Sequence, residues 1–307
     1  MPPRRILVTG SAGFVGQHLL PVLRTACPGA ELHTAPFDVT DGAAAAAAVA
    51  TAQPDAVVHL AAVAAISAAR LDPGLAWNVN LTGTLNVARA IMAHAPACTL
   101  VFASSADIYG ASFRAGTPLD EGAVPAPLNT YAATKAAADL ALGAMAAEGL
   151  RVVRVRSFNH TGPGQAPGFV VPAFAEQVAC IAAGLQPPVL RVGALDPMRD
   201  FLDVRDVCTA YALCLVHADA LAPGTVLNVA SGQPRRVGDV LTTLMKAAGV
   251  QAEVVTDAGR LRPTDISIAA GDAALARRLL GWAPAIPWEQ TIADVLADWQ
   301  TRVQQAS

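Results

Sequence analysis

Ile6-Leu7-Val8-Thr9-Gly10-Ser11-Ala12-Gly13-Phe14-Val15-Gly16 is the stretch that decides the fold. A short apolar run of strand type ends in three glycines, and Val15–Thr25 then has helical composition. Gly10 permits a tight turn, Gly13 lets backbone come close to a phosphate, and Gly16 lets the helix pack tightly. The backbone N–H groups around Phe14 and Val15, at the positive end of the helix, then face an anion. A glycine triplet alone can be an ordinary turn. Between a strand and a helix it reads as a dinucleotide-binding turn.

Outward from this turn, strands and helices alternate. Glu31–Ala35, Ala56–Leu60, Leu100–Ser104 and Val152–Val155 are short apolar or β-branched runs. Asp41–Ala52, Gly74–Ala95 and Thr130–Glu148 lie between them with helical composition. This pattern predicts an α/β fold, a doubly wound parallel sheet covered on both faces, with ligands at the carboxyl ends of the strands. After Arg156, the stretch Asn159-His160-Thr161-Gly162-Pro163-Gly164-Gln165-Ala166-Pro167-Gly168 is dense in Gly and Pro and predicts a loop and a boundary. Beyond it, helices are expected near Pro172–Ala183, Asp203–His217, Val237–Gly249 and Trp288–Trp299, with strands near Val189–Val192, Val226–Val229 and Glu253–Val255. Residues 1–157 are read as the nucleotide-binding domain. Residues 158–307 are read as mainly a smaller α/β domain, with segments such as 203–218 packing back on the first.

Bulk composition removes several partners. At 307 residues, with 53% hydrophobic and 15% charged residues, the chain predicts a large core. A net charge of −3 gives no electrostatic reason for nucleic acid or an acidic membrane to bind. Apolar runs fall short of the ~20 residues needed to span a bilayer. Arg4-Arg5 ahead of Ile6-Leu7-Val8 resembles a short leader, but that run is too brief and leads into the glycines. Five scattered cysteines (Cys27, Cys98, Cys180, Cys208, Cys214) lack metal-ligand spacing and read as buried apolar groups in a reducing cytoplasm, with no metal expected.

Three segments carry chemistry. Asn129-Thr130-Tyr131-Ala132-Ala133-Thr134-Lys135 puts a tyrosine and a lysine four residues apart, on one helical face. A free phenol, with pKa near 10, is a weak acid–base at neutral pH, and a neighbouring ammonium would bring it down. Tyr131 can then exchange a proton with a carbonyl oxygen, while Lys135 holds the ribose hydroxyls of the cofactor. Phe102-Ala103-Ser104-Ser105-Ala106-Asp107-Ile108-Tyr109-Gly110 is an apolar strand ending in hydroxyls. Counting back from Tyr109-Gly110 favours Ser105 over Ser104 as second hydrogen-bond donor to the reacting oxygen. Asp38, 22 positions past Gly16, is the acid nearest the expected adenosine; its alternative is an N-cap for the following helix, although Asp41 fills that role better. The tip of the second strand (His33, Thr34, Ala35) has neither an acid for a ribose 2′-hydroxyl nor an arginine for a 2′-phosphate. The choice between NAD and NADP stays open, and the missing basic residue favours NAD.

Val58-His59-Leu60-Ala61-Ala62, Asn80-Leu81-Thr82-Gly83-Thr84, the tandem serines and the Tyr–Lys helix together resemble the extended short-chain dehydrogenases that act on nucleotide sugars. That resemblance implies cofactor contacts from Asp38-Val39, from Leu60, Ala61 and Ala62, and from Asn80. It also implies a homodimer, paired through Gly74–Ala95 and Thr130–Glu148 as a four-helix bundle. Phe158–Gln165, Met198–Val207 and Leu261–Ile266 are similar to segments of GDP-6-deoxy-4-keto-mannose reductases, which form GDP-D-rhamnose. By this similarity Ser105, Asp107 and Asn159 would meet the sugar or its phosphates, and Arg199 and Arg262 would grip the diphosphate of a GDP-sugar, a task suited to arginine's planar fork.

One departure stands out. Where related chains carry polar residues facing the sugar, this one has Val63-Ala64-Ala65-Ile66. GDP-mannose 4,6-dehydratases and nucleotide-sugar 4-epimerases are the enzymatic alternatives. Dehydratases place a glutamate where this chain has Asp107, often after another acid, and here Ala106 precedes it. A non-catalytic dinucleotide sensor is the remaining reading, and the presence of both Tyr131 and Lys135 argues against it.

Overall fold

The computed structural model describes residues 2–261 and 266–306. Six parallel strands form the main sheet: β1 (Arg5–Thr9), β2 (Glu31–His33), β3 (Ala56–His59), β4 (Thr99–Ala103), β5 (Val152–Ser157) and β9 (Thr225–Val229). Their spatial order is β2-β1-β3-β4-β5-β9, so the chain reverses its direction of winding between β1 and β3. At such a switch point the loops leaving neighbouring strands part and open a crevice. The parallel doubly wound sheet expected from the alternation is therefore present.

One face of the sheet carries α1 (Phe14–Ala26) and α8 (Val204–Val216). The other carries α2 (Gly42–Ala52), α5 (Thr84–His94) and α6 (Thr130–Ala147). Two apolar cores, one per face, hold these layers together. Ile6, Val8, Val58 and Val101 point to one, and Leu7, Val57, Leu100 and Phe102 to the other. The alternation follows from the period-two pleat of a strand.

Around the main sheet, two segments differ from the sequence reading. Thr225–Val229, expected in the second region, pairs with β5 and becomes the sixth strand, with Leu227 and Val229 fully buried. This apolar strand completes the main sheet rather than joining the second lobe. The expected long helix Gly74–Ala95 is broken into α4 (Pro73–Trp77), a π-helical turn at Asn78–Gly83, and α5. At Gly83 a Cβ would stand 2.7 Å from the Val39 side chain, and Asn80 turns inward to be almost wholly buried. Wider π turns inside α-helices commonly mark functional sites.

The second lobe is built on β8 (Met198–Asp203). It pairs with β6 (Asn159–Thr161), β10 (Pro234–Arg236) and β12 (Ile268–Ala269). Asn159–Thr161, expected as loop, is thus a strand, and the loop begins after it. A parallel pair, β7 (Val189–Val192) with β11 (Glu253–Thr256), lies under α7 (Val170–Ala182), α9 (Val237–Ala248) and α11 (Trp288–Ala306), which share a third core around Phe174, Leu241 and Trp299. Residues 204–216 lie back on α1, where the Cys208 thiol reaches the Val15 carbonyl at 3.6 Å.

Candidate active site

The glycine turn leaves β1 at the switch point. Gly10 has φ +69°, and a Cβ there would come within 2.8 Å of the Ala61 nitrogen. Both the left-handed backbone and the approach of the loop after β3 require glycine. A Cβ on Gly16 would strike the carbonyls of Ser11 and Gly10, so this residue makes room for the turn itself rather than for the sheet. Gly13 caps α1 without a side-chain hydrogen bond, and the first helical turn, with Phe14 and Val15, carries no acid. The positive end of α1 is therefore left to an outside anion, and a cofactor pyrophosphate fits this cradle.

Leu60 N–H donates to the Thr9 carbonyl (3.2 Å) and Ala61 N–H to the Thr9 hydroxyl (3.3 Å), which sets Leu60, Ala61 and Ala62 along the opposite lip of the crevice. Asn80 locks the next residue. Its Oδ1 accepts from Val63 N–H (2.8 Å), and its Nδ2 donates to the Val63 carbonyl (3.1 Å) and to Thr134 Oγ1 (2.9 Å). The Asn80 amide is thus engaged in shaping this loop and tying it to α6. Asp38 is exposed, and its Oδ1 accepts both the backbone N–H and the hydroxyl of Thr40 at 2.8 Å, bonds that lower its pKa. Asp41, not Asp38, caps α2. Val39 lies buried under Gly83.

The chemical groups meet where β4 ends against the first turns of α6. Asn129 caps that helix by accepting from Ala132 N–H (2.9 Å), which fixes Tyr131 in its first turn. The Ser105 side chain lies beside the Tyr131 phenol, close enough to lower its pKa, and Ser105 Oγ accepts the Asp107 N–H at 3.1 Å. The neighbouring Ser104 faces elsewhere and donates to the buried Asp139 carboxylate at 2.6 Å. Of the two tandem hydroxyls, Ser105 is therefore the one that meets the tyrosine.

Electrostatics at this cluster differ from the sequence expectation. Burial pushes the Tyr131 phenol well above its ordinary value, the Asp107 carboxylate pushes it further, and only Ser105 opposes them. Lys135 is buried, its Nζ stands 4.4 Å from the centre of the Phe102 ring, and burial draws its pKa down to about 7 against the pull of Asp139. In the protein alone Tyr131 is thus a firmly protonated acid.

Beneath the cofactor crevice lies a hydrogen-bonded chain that the sequence reading missed. Thr9 Oγ1 meets His59 Nδ1 at 2.7 Å, His59 Nε2 meets Thr84 Oγ1 at 3.0 Å, and Thr84 donates to the Asn80 carbonyl at 2.7 Å. Because Thr84 gives its only proton to Asn80, its oxygen must accept from His59, which assigns the Nε2–H tautomer. Burial holds the His59 pKa near about 3, so the imidazole stays neutral.

In the second lobe, register sets Asn159 opposite Phe201, two residues from Arg199 on β8. Arg199 donates to the Met198 and Ile266 carbonyls (2.7 and 3.2 Å). Across the antiparallel pair it stands beside Arg235, whose guanidinium lies 5.1 Å from the Trp288 ring centre. Arg235 was not anticipated, although its place between Pro234 and Arg236, ahead of a helix, was a readable cue. Arg262 lies outside the described residues. No helix among the described residues is long and apolar enough to cross a membrane.

The GDP-mannose 4,6 dehydratase family profile matches residues 24–295. The chain is 38% identical to the GDP-6-deoxy-D-mannose reductase of Pseudomonas aeruginosa, over 98% of this chain and 99% of that protein. It is 29% identical to a UDP-glucose 4-epimerase of Azospirillum brasilense, over 94% and 92%. Among solved structures, RMD from Pseudomonas aeruginosa complexed with NADPH superposes with a TM-score of 0.86 at 35% identity, covering 97% of this chain and 99% of that one. The Thermus thermophilus UDP-glucose 4-epimerase with NAD gives 0.84 at 30%, covering 96% and 99%. Similarity this broad, over both lobes, settles the lineage: the chain belongs to the GDP-mannose 4,6-dehydratase family, within the extended short-chain dehydrogenases and reductases.

Proposed function

We propose that this protein is a nicotinamide-dependent nucleotide-sugar reductase that converts GDP-4-keto-6-deoxy-D-mannose to GDP-D-rhamnose. The observation that carries this reading is the state of Tyr131. It stands beside Ser105 and is kept protonated by burial and by Asp107, as a donor to a forming alkoxide must be. Held over the turn of Gly10, Gly13 and Gly16, a reduced nicotinamide cofactor would supply the hydride for the carbonyl carbon. Tyr131 delivers the proton to the oxygen, and Ser105 gives that oxygen its second hydrogen bond. Lys135, one turn along, supports the phenolate left behind and reaches the ribose. The similarity to the Pseudomonas aeruginosa reductase supports the same direction of chemistry.

In this reading residues 1–157 hold the dinucleotide and residues 158–307 mainly hold the sugar nucleotide. Gly10, Gly13 and Gly16 cradle the pyrophosphate, while Asp38 and Val39 border the adenosine. Arg199, with Arg235 beside it and Arg262 further along, meets the diphosphate, and Asn159 and Asp107 border the sugar. Similar structures hold either NADPH or NAD, and the strand tip at His33, Thr34 and Ala35 offers no arginine to a 2′-phosphate. Five unpaired cysteines suit a reducing cytoplasm.

A second reading, 4,6-dehydratase, is favoured by the family profile itself. Elimination across C5 and C6 needs a further acid–base reaching past C4, and Ala106-Asp107 is a shorter, sparser supply than a glutamate preceded by an acid. Reduced-cofactor absorbance with 4-keto-6-deoxy sugars on GDP, UDP, dTDP and CDP tests the proposal. Turnover of the GDP ketone at least roughly tenfold faster than the others supports it, the scale of one net hydrogen bond to the base. Turnover only of another base refutes the GDP assignment.

A further inference from the structure

β5 is a buried parallel strand, yet it carries Arg154 and Arg156 two residues apart. Both reach Asp139, which is fully buried on α6 one turn beyond Lys135. Arg156 grips the carboxylate with Nε (3.2 Å) and Nη2 (2.9 Å), and Arg154 adds Nη1 (3.0 Å). The helix is cut away for this contact, since a Cβ at Gly143 would stand 2.7 Å from Arg154 Nη1. Arg154 also donates to the Gly224 carbonyl, and Arg156 to Tyr109 Oη (3.1 Å), which itself donates to Asn228 (2.7 Å). Burial alone would lower the pKa of Arg156, and Asp139 outweighs it, so the guanidinium stays charged.

The fourth ligand of Asp139 is the Ser104 hydroxyl at 2.6 Å. Ser104 and Ser105 are adjacent, yet they touch α6 at Asp139 and Tyr131, eight residues apart. At 1.5 Å per residue those points are separated by roughly 12 Å, with Lys135 midway. The serine turn therefore lies along the helix and is held at both ends. Its backbone is extended at Ser105 (φ −153°, ψ 144°), which caps the 3₁₀ turns that follow by accepting Asp107 N–H (3.1 Å) and Ile108 N–H (3.4 Å), so the Ser104 hydroxyl is what ties the turn to α6 on the Asp139 side.

We infer that Asp139 and Ser104 are positioning residues, the Asp139 carboxylate holding the Ser104 hydroxyl so that the same turn presents Ser105 to Tyr131. Arg154 and Arg156 keep the carboxylate in place. Ser104 acts through Ser105 and touches no reacting atom. This inference rests on the proposed proton-transfer roles of Ser105 and Tyr131.

Asp139→Asn is a poor probe because it leaves the buried Arg156 and the largely buried Arg154 guanidinium groups short of charge. Ser104→Ala keeps every ion pair and removes only the tether. Ser104→Ala should lower kcat for the keto sugar roughly 10- to 100-fold, the scale of a small misplacement at a reacting centre, with KM and cofactor Kd moving by less than about twofold. In a Ser105→Ala background the same change should add less than about twofold, because its effect passes through Ser105. A single variant with wild-type kcat, or losses that multiply in the double variant, overturns the inference. Crystal structures of wild type and Ser104→Ala decide the tether independently of substrate. Ser105 Oγ should leave the Tyr131 hydroxyl in the variant, and an unmoved Ser105 contradicts the proposal. If the wild type leaves the keto sugar untouched, the substrate reading fails, and this structural comparison still stands.

Discussion

The carboxylate of Asp107 lies close enough to Tyr131 to raise the pKa of its phenol, while Ser105, two residues before Asp107, lies beside that same phenol and lowers it. One short turn thus sends a group that keeps the proton on and a group that eases its departure to a single oxygen. Replacing Asp107 by asparagine removes the repulsion, so phenolate forms more readily and the Tyr131 pKa falls. The alkaline limb of kcat/KM for ketone reduction should then move to lower pH. A limb that moves upward, or stays in place, assigns Asp107 no electrostatic part.

Tyr131→Phe keeps the ring and removes the acid. Turnover should fall by roughly 10²–10⁴, while cofactor affinity stays nearly unchanged. Stopped-flow hydride transfer and fluorescence binding of reduced cofactor measure the two effects separately. Activity within a few-fold of wild type would rule out Tyr131 as the proton donor.

Lys135 titrates at about 7 in the folded protein, against an ordinary value of 10.5. Between those values the unfolded chain holds the extra proton, so this residue makes stability rise with pH across that window. The urea midpoint of wild type should therefore gain on that of Lys135→Met between pH 7 and pH 10. A nitrogen resonance of Lys135 that titrates above pH 10 would contradict this.

The fold was legible because its signal is local. Gly10, Gly13 and Gly16 between strand and helix, and the alternating apolar runs, each depend on neighbours in sequence. Tyr131 and Lys135 were legible for the same reason, being one turn apart. What stayed hidden depended on distant pairing. Counting back from Tyr109-Gly110 favoured Ser105 over Ser104, but the bond of Ser104 to Asp139, 35 residues further on, could not be read. Arg154 and Arg156 were visible as charges inside an apolar strand, a clue to a buried partner, but the sequence did not name it. Asn80 was expected at the cofactor, but that its amide shapes the Val63 backbone and ties it to Thr134, where a π turn swings it inward, was not legible.

The homodimer remains a proposal with a specific surface. Between α5 and α6 runs a groove lined by Leu85, Met92, Ala141, Ala144 and Met145, and Leu140 on α6 is 56% exposed. Small alanine faces let helices approach closely, and a second copy would bury this strip as a four-helix bundle. Light scattering at micromolar concentration should give twice the chain mass. A monomer there excludes the pairing.

The central claim is that this site reduces a 4-keto sugar and does not make one by dehydration. Purified protein is incubated in one tube with GDP-mannose and oxidised cofactor, and in another with GDP-4-keto-6-deoxy-mannose and reduced cofactor. Reduction of the ketone at C4, with no ketone formed from GDP-mannose, is the result this account predicts. Both reactions exchange hydride at C4, so Ser105, Tyr131 and Lys135 serve either, and only elimination asks more than Ala106-Asp107 provides. Ketone formed from GDP-mannose, with no consumption of the ketone in the second tube, would contradict it.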